Sequence, residues 1–269
     1  MFPECNFGML HRRLMKRFRS GTAPAAPRSR LTMRGSDFSA LYAISDIHGC
    51  ASAFLSARRL IARDAQGYPG RKLVVLLGDY VDRGPASRDV LELLTQPISE
   101  EIEDVALCGN HDDQLVKMVR GDLPIDAWLE FAGSATLTSF GIDVENVLKR
   151  VGLKGLHHVV RETIPTAYIS RLEALPVSLQ IDNLLFVHAG VRPGVALASQ
   201  TDNDLMWIRE PFLEDGPQLP IFVIHGHTPG ITVNIGNARL GIDTAAVATG
   251  KLTVLRIVGT KFSTIQASN

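Results

Sequence analysis

Five short stretches hold most of the residues able to bind a metal ion or move a proton: SDIHG (45–49), GDYVDRG (78–84), GNHDD (109–113), VHAG (187–190) and HGHT (225–228). They supply Asp46, His48, Asp79, Asp82, Asn110, His111, Asp112, His188, His225 and His227, and with them five of the eight histidines of the chain. Each stretch alone has a plain structural explanation. An aspartate after a strand is usually a helix cap or turn former, a solitary histidine is more often structural than a ligand, and Gly-Asn or Gly-Asp is an ordinary turn signal. Five such stretches sharing one ligand chemistry favour a metal site. Carboxylate, imidazole and amide oxygen without thiolate suit Mn, Fe, Zn or Ni, and exclude a cysteine-based structural zinc. The donors exceed the needs of one ion. Two ions sharing a carboxylate would use them, an arrangement built for in-line displacement at phosphorus or for amide hydrolysis.

Such residues must be brought together by the elements that precede them. LYAISD (41–46), KLVVLLGD (72–79) and DVALCGN (104–110) read as strands, separated by helices over 51–65 and 87–96. This β-α-β-α-β order, with strands about 30 residues apart, is that of parallel units. Residues 113–174 read as mostly helical. LLFVHAG (184–190), IFVIHGH (221–227), ARLGID (238–243) and KLTVLRIVG (251–259) read as strands of a mixed or antiparallel region. Ligand sites in open α/β sheets form at the carboxyl ends of strands, which is where all five stretches fall.

In this order, D-x-H-G, G-D-x-x-D-R-G, G-N-H-D, a strand-end histidine and G-H-T, the motifs resemble the metallophosphoesterase superfamily. Val81-Asp82-Arg83-Gly84 narrows the resemblance to the phosphoprotein phosphatase family and its bacterial members. Weaker matches at 128–141, 175–194, 205–212 and 225–230 extend it over about residues 40–260. The resemblance implies an α/β fold, a calcineurin-like sandwich of two mixed β-sheets packed face to face and flanked by helices. It implies two divalent metal ions, manganese foremost, with Fe, Zn or Ni as alternatives. Asp46, His48 and Asp79 would hold the first, and Asp79, Asn110, His188 and His227 the second. It also implies direct attack on phosphorus by a hydroxide bridging the ions, His111 as general acid, Asp82 as its orienting partner, and Arg83 with Arg209 as a phosphate clamp. Two aspartates against two divalent ions, the hydroxide and two arginines leave the positive charge that a phosphate dianion needs.

The activity expected first is that of a protein serine/threonine phosphatase. A symmetrical diadenosine-tetraphosphatase is the alternative; it asks for an aromatic or arginine pocket for adenine, which the sequence does not place. A non-catalytic metal-binding regulatory module would lack ligands, whereas every position is filled. Two departures stand out. Ser45 replaces a usual glycine. Asp112 stands where glutamate is more common, and if it supports Arg83 its shorter side chain would move the clamp by about 1 Å, enough for a loss on the order of 100-fold. His225 is expected to support the metal centre from behind; Cys50, beside the first loop, needs no catalytic role.

The remaining features bound the partners. The chain has 269 residues, 45% of them hydrophobic, enough for one large domain. Residues 1–36 hold eight of the 28 basic residues and one of the 28 acidic ones, leaving 20 against 27 in the rest. That acidic body gives no footing for nucleic acid. No apolar run approaches the roughly 20 residues of a membrane span. Three cysteines, Cys5, Cys50 and Cys108, at unrelated spacings point to a reducing, cytoplasmic compartment, with no obligate partner evident. Residues 1–36, with a basic amphipathic stretch at 7–18 and a Pro/Ala/Ser linker at 20–30, are expected to be a disordered tail, and 37–269 the catalytic domain.

Overall fold

A computed structural model describes residues 26–268; the stretch at 7–18, most of the linker, Cys5 and His11 lie outside them. β2 (Ala40–Ile44) and β3 (Lys72–Leu76) are buried at every position. Their sheet is therefore covered on both faces, as parallel strands joined by crossover helices require. β2, β3 and β4 (Ile102–Ala106) run parallel, β10 (Lys251–Val258) pairs antiparallel with β2, and β11 (Lys261–Ser268) antiparallel with β10. The order is β11-β10-β2-β3-β4. Ile44 pairs with Leu76 and Leu76 with Ala106, so three strands finish level and their loops leave from one edge.

The second sheet has the order β1-β5-β6-β7-β9-β8, with β1 (Arg30–Met33), β5 (Ser178–Ile181), β6 (Leu184–Val187), β7 (Phe222–His225), β8 (Asn234–Gly236) and β9 (Arg239–Gly241). β6, β7 and β9 are parallel, with Phe186 opposite Ile224 and Ile224 opposite Leu240. His188, His227 and Asp243 thus follow strands that also end level. Leu41, Ala43, Leu73 and Val75 of one sheet pack with Leu179, Ile181, Phe186 and Ile224 of the other to form the inner core. Tyr42, Ile44, Val74 and Leu76 point the opposite way, into the cluster that holds Phe54, Ala57 and Ile61 of α1 (Ala51–Asp64). Each fully buried side chain of this size contributes about 1.5–3 kcal/mol. The fold is the expected two-sheet α/β sandwich.

The helices that bear on the site are α2 (Ser87–Leu93), α3 (Asn110–Arg120), α4 (Ile125–Trp128), α5 (Ser134–Ser139), α6 (Val144–Thr163), α7 (Thr166–Ala174) and α8 (Asp202–Trp207). Between α4 and α5 the chain makes a π-turn, Leu129–Gly133, in which Ala132 has a φ of 124°. Among the described residues no helix is long and apolar enough to cross a membrane.

Three readings of the sequence need correction. Arg30–Met33 is not tail; it pairs with β5 along its whole length. Arg28 is anchored as well, its guanidinium donating to the carbonyls of Leu172, Glu173 and Leu175 and to Asp113 Oδ1. The boundary expected after residue 36 therefore falls inside the fold. An edge strand of four residues, half exposed and flanked by arginines, alternates over too short a stretch to stand out. β11 was also absent from the reading, being polar at most positions. Asn110 does not end a strand; it opens α3, because Asp112 Oδ2 accepts the Gly109 N–H at 3.0 Å and caps the helix.

Candidate metal centre and active site

The loops approach each other closely enough to require glycine. Gly78 has a φ of 104°, and a side chain there would overlap the backbone nitrogen of Gly109. A side chain on Gly109 would overlap Asp79 Oδ1. Strain is also carried by residues with side chains. Of ten described non-glycine residues at positive φ, five are His48, Asp79, Asp82, Arg83 and His227. Such conformations cost about 1–3 kcal/mol each and persist where the surroundings over-determine them.

Asp112 is one source of that determination. Its carboxylate accepts the backbone N–H groups of Asp79 at 2.8 Å, Tyr80 at 2.9 Å and Gly109 at 3.0 Å. It does not hold Arg83. The shorter acid therefore sets the backbone of the 78–84 loop, and the displacement feared for the clamp has no origin here. Burial, then the charge of Asp79, push its pKa up to about 8.

Asp79 is the hub. Its Oδ2 lies 3.4 Å from His48 Nε2 and 3.4 Å from His188 Nε2, and its Oδ1 accepts the His111 N–H at 3.0 Å. Asp79, His188 and His227 converge as one trio of donors, and His48, Asp79 and His111 as another, with Asp79 common to both. Burial works against the charge on Asp79, but the imidazoles of His188, His111 and His48 hold its pKa well below the usual carboxylate range. Burial also opposes charge on His188, yet Asp79 raises it to about 9. His188 Nδ1 donates to Leu77 O at 3.0 Å, and Nε2 lies 2.9 Å from Asn110 Oδ1.

The donors fit divalent ions. His48 Nδ1 donates to Val81 O at 2.7 Å, which leaves a lone pair on Nε2, and that buried atom has no hydrogen-bond partner. A histidine fixed at one nitrogen and open at the other is how metal-binding histidines are oriented. Burial lowers its pKa to about 4, against the pull of Asp79. Burial, then the charge of His188, keep His227 well below its ordinary value, so it too is a neutral donor. Asp46 lies outside both trios. Its oxygens accept the His227 N–H at 3.1 and 3.0 Å and the hydroxyl of Ser45, so the serine that replaces glycine helps to hold this carboxylate.

His111 has both ring nitrogens engaged. Asp82 Oδ2 lies 2.8 Å from Nδ1, and Arg83 Nη2 donates to Nε2 at 2.9 Å. Asp82 is itself fixed by Thr136, whose hydroxyl donates to Oδ1 at 2.7 Å and accepts the Asp82 N–H at 2.9 Å; Ser87 Oγ lies 3.2 Å from the same N–H. Phe131, presented by the π-turn, stacks on His111 with centroids 4.3 Å apart. Trp207 stands 5.4 Å from Phe131 and 6.3 Å from His227. These rings, both half-buried, span the two donor trios. Arg83 and Arg209 are exposed above this buried floor.

The sequence reading missed Thr136, Ser87, Phe131, Trp207 and Asp243. Thr136 and Phe131 sit in 128–141 and Trp207 in 205–212, stretches that carried the resemblance without roles for these side chains. Asp243, buried after β9, has its pKa pushed up to about 8 by burial and then by Asp46. His225 is a correction in the other direction. It touches none of the donors; its ring packs on Phe212 at 5.2 Å, and its Nδ1 donates to Gly226 O at 3.1 Å. Cys50 and Cys108 are free thiols, raised by burial.

Comparison with known proteins agrees with this geometry. The family described as calcineurin-like phosphoesterase matches residues 40–248. A protein of Geobacillus sp. (strain WCH70), named bis(5'-nucleosyl)-tetraphosphatase PrpE [asymmetrical], is 26% identical over 79% of this chain and 88% of its own. One of the same name from Oceanobacillus iheyensis is 22% identical over 82% and 90%. Among solved structures, a putative diadenosine tetraphosphatase superposes with a TM-score of 0.61 at 20% identity, covering 90% of this chain and 99% of that one. A protein serine/threonine phosphatase from Saccharomyces cerevisiae superposes at 0.54 and 14% identity, covering 90% and 84%.

Proposed function

The chain belongs to the calcineurin-like phosphoesterase family, and on that premise we propose that it is a metal-dependent hydrolase of dinucleoside polyphosphates. The observation that carries the substrate reading is the ring pair Phe131 and Trp207, set between His111 and His227. A nucleobase stacking on such a ring gains about 1–3 kcal/mol, whereas a phosphoserine has no flat group to place there. The names of the Geobacillus and Oceanobacillus relatives support the same choice, and favour an asymmetrical cut over the symmetrical one.

Asp46, His48 and Asp79 would hold one divalent ion, and Asp79, Asn110, His188 and His227 the other. When bound, the ions supply Lewis acidity toward phosphoryl oxygen and a water acidic enough to attack at neutral pH. Arg83 and Arg209 bind phosphoryl oxygens through a planar fork that stays charged. Asp82 holds His111 at Nδ1 so that Nε2, once Arg83 has turned to phosphate and Nε2 has taken up a proton from solvent, faces the departing oxygen and delivers that proton as the P–O bond breaks.

A second reading rests on the His111–Asp82 pair. A nucleotide leaves as a phosphate that needs little protonation, while a serine or threonine alkoxide needs a proton. A phosphoprotein substrate therefore gives that pair more to do. The deciding assay loads the purified protein with Mn²⁺ and compares diadenosine tetraphosphate, a phosphopeptide panel and an aryl phosphate. The proposal expects diadenosine tetraphosphate to have a kcat/KM at least about tenfold above any phosphopeptide. Chromatography then reads the cut, as ATP with AMP or as two ADP. A preferred phosphopeptide reverses the two readings.

A further inference from the structure

A cavity of about 300 Å³ lies between residues 210–214, the end of β7 and the β8–β9 hairpin. Glu210, Glu214, His225, Thr228, Asn234 and Arg239 line it, and none of them belongs to the donor cluster. His225 is only 1% exposed. Its Nδ1 donates to a carbonyl, so Nε2 presents a lone pair, and that atom has no hydrogen-bond partner. Thr228 Oγ1 is likewise buried and unpartnered. Native interiors seldom leave two such atoms unmet on one wall.

The chemistry of the wall narrows what meets them. Arg239 is committed to the protein: its Nη1 donates to Asn234 Oδ1 at 2.7 Å, and its Nε and Nη2 donate to Leu213 O. Glu210 Oε2 accepts the Glu214 N–H at 3.2 Å, which leaves the rest of the two carboxylates and the imidazole lone pair as the acceptors of the wall. A phosphate is repelled there. A neutral group rich in hydroxyl donors is matched, and a carboxylate is the usual partner of a ribose hydroxyl in nucleotide sites. The volume is at the lower end for small-molecule sites, roughly 300–1,000 Å³, which suits one nucleoside. The cavity also adjoins the reacting centre along the chain: Glu210 follows Arg209, and Thr228 follows His227.

We propose that this cavity is the sugar subsite for the substrate, where the two vicinal hydroxyls of a ribonucleoside donate to acceptors drawn from Glu210, Glu214 and His225 Nε2, and Thr228 Oγ1 donates to a hydroxyl oxygen. It deepens the dinucleotide reading and rests on that reading for the identity of the phosphate donor.

The test is calorimetric titration of the manganese-loaded protein with adenosine and with 2′-deoxyadenosine, which needs no turnover. The native protein binds adenosine roughly tenfold or more tightly than the deoxy compound, the worth of a hydrogen bond to a charged group. Glu214→Gln brings that ratio near one, and Glu210→Gln serves where the first variant does not fold. A ratio of one in the native protein overturns the proposal, as does a ratio that both variants preserve. Binding of a lysine-bearing phosphopeptide, abolished by Glu214→Gln while adenosine does not bind, assigns the carboxylates to a peptide cation and also overturns it. Ribose discrimination without any hydrolysis of diadenosine tetraphosphate supports the sugar subsite and rejects the substrate reading. Hydrolysis without ribose discrimination does the reverse.

Discussion

Arg83 Nη2 donates to His111 Nε2 at 2.9 Å, the nitrogen opposite the one that Asp82 holds at 2.8 Å. Without substrate, the guanidinium covers the atom that the proposed mechanism turns toward the leaving group. Phosphate oxygen is a stronger acceptor for a guanidinium than a neutral imidazole is. On the proposed mechanism an arriving phosphoryl group draws Arg83 away, and the freed Nε2 takes up the proton that it later delivers.

His111→Asn removes the proton donor and keeps a side chain of similar polarity. The expected result is both metal ions retained and a loss on the order of 10²–10⁴ on a substrate with a poor leaving group. An activated aryl ester should lose much less. Equal losses on both substrates, measured as kcat/KM, reject the general-acid role.

Thr136→Val keeps the shape of the side chain and deletes the hydroxyl that fixes Asp82 from both sides. A positioned acid that drifts by about 1 Å loses up to roughly 100-fold. The loss should again fall on poor leaving groups, with metal content unchanged by elemental analysis. Restoration of activity by Thr136→Ser separates the hydrogen bond from packing.

Asp79→Asn removes the charge that both donor trios share. The variant should bind fewer than two ions per chain after loading with Mn²⁺ and dialysis. Two ions retained would show that Asp79 does not bridge.

Asp243 gives the metal-free protein a pH dependence of definite sign. Its folded pKa, about 8, lies above the roughly 3.9 of a free aspartate. The stability it contributes is therefore complete below the unfolded value and is lost as pH rises through about 8. Asp243→Asn retains an acceptor for the Ala245 N–H, which Asp243 Oδ1 takes at 2.9 Å, and abolishes the titration. In chelator, the Tm of the variant should gain on that of the native protein by roughly 7–14 °C between pH 5 and pH 8. Parallel melting curves across that range refute the assignment.

Arg28 ties the chain before β1 to α3 and α7, and its side chain is only 11% exposed. Arg28→Ala leaves three carbonyls and part of Asp113 without a donor. A cost of about 2 kcal/mol corresponds to a fall in Tm of roughly 4–8 °C. A fall under about 1 °C would return residues 26–33 to the status of a tail.

The strands β2, β3, β6 and β7 were legible because burial on one or both faces leaves an apolar run closed by the residues that turn the chain, and β9 and β10 because shorter apolar stretches end in the same way. The donor residues were legible because their types are costly to bury without a purpose. What could not be read has a physical reason in each case. β1 and β11 are half exposed, and edge strands need no apolar alternation. Thr136 and Ser87 act through hydroxyls, which helices commonly carry for ordinary reasons. Phe131 reaches His111 through a π-turn, whose extra residue shifts the facing of all that follow. Asp112 was seen, but a carboxylate can hold three backbone amides or one guanidinium, and spacing does not distinguish them.

The bond from the His227 amide to Asp46 joins residues 181 positions apart and crosses from a loop of one sheet to a loop of the other. It sets the order in which this protein can mature. A chain stopped before β7 already contains Asp46, His48, Asp79, Asn110 and His188, yet lacks His227 and the strand that carries it. On the proposed ligand assignment, the second ion therefore gains its full donor set only after the chain from β7 onward has docked, and so late a contact between distant residues closes slowly. On that assignment a nascent or truncated chain lacking β7 holds the donors of the first ion, Asp46, His48 and Asp79, but not the complete set for the second, so full metal loading reports completed folding.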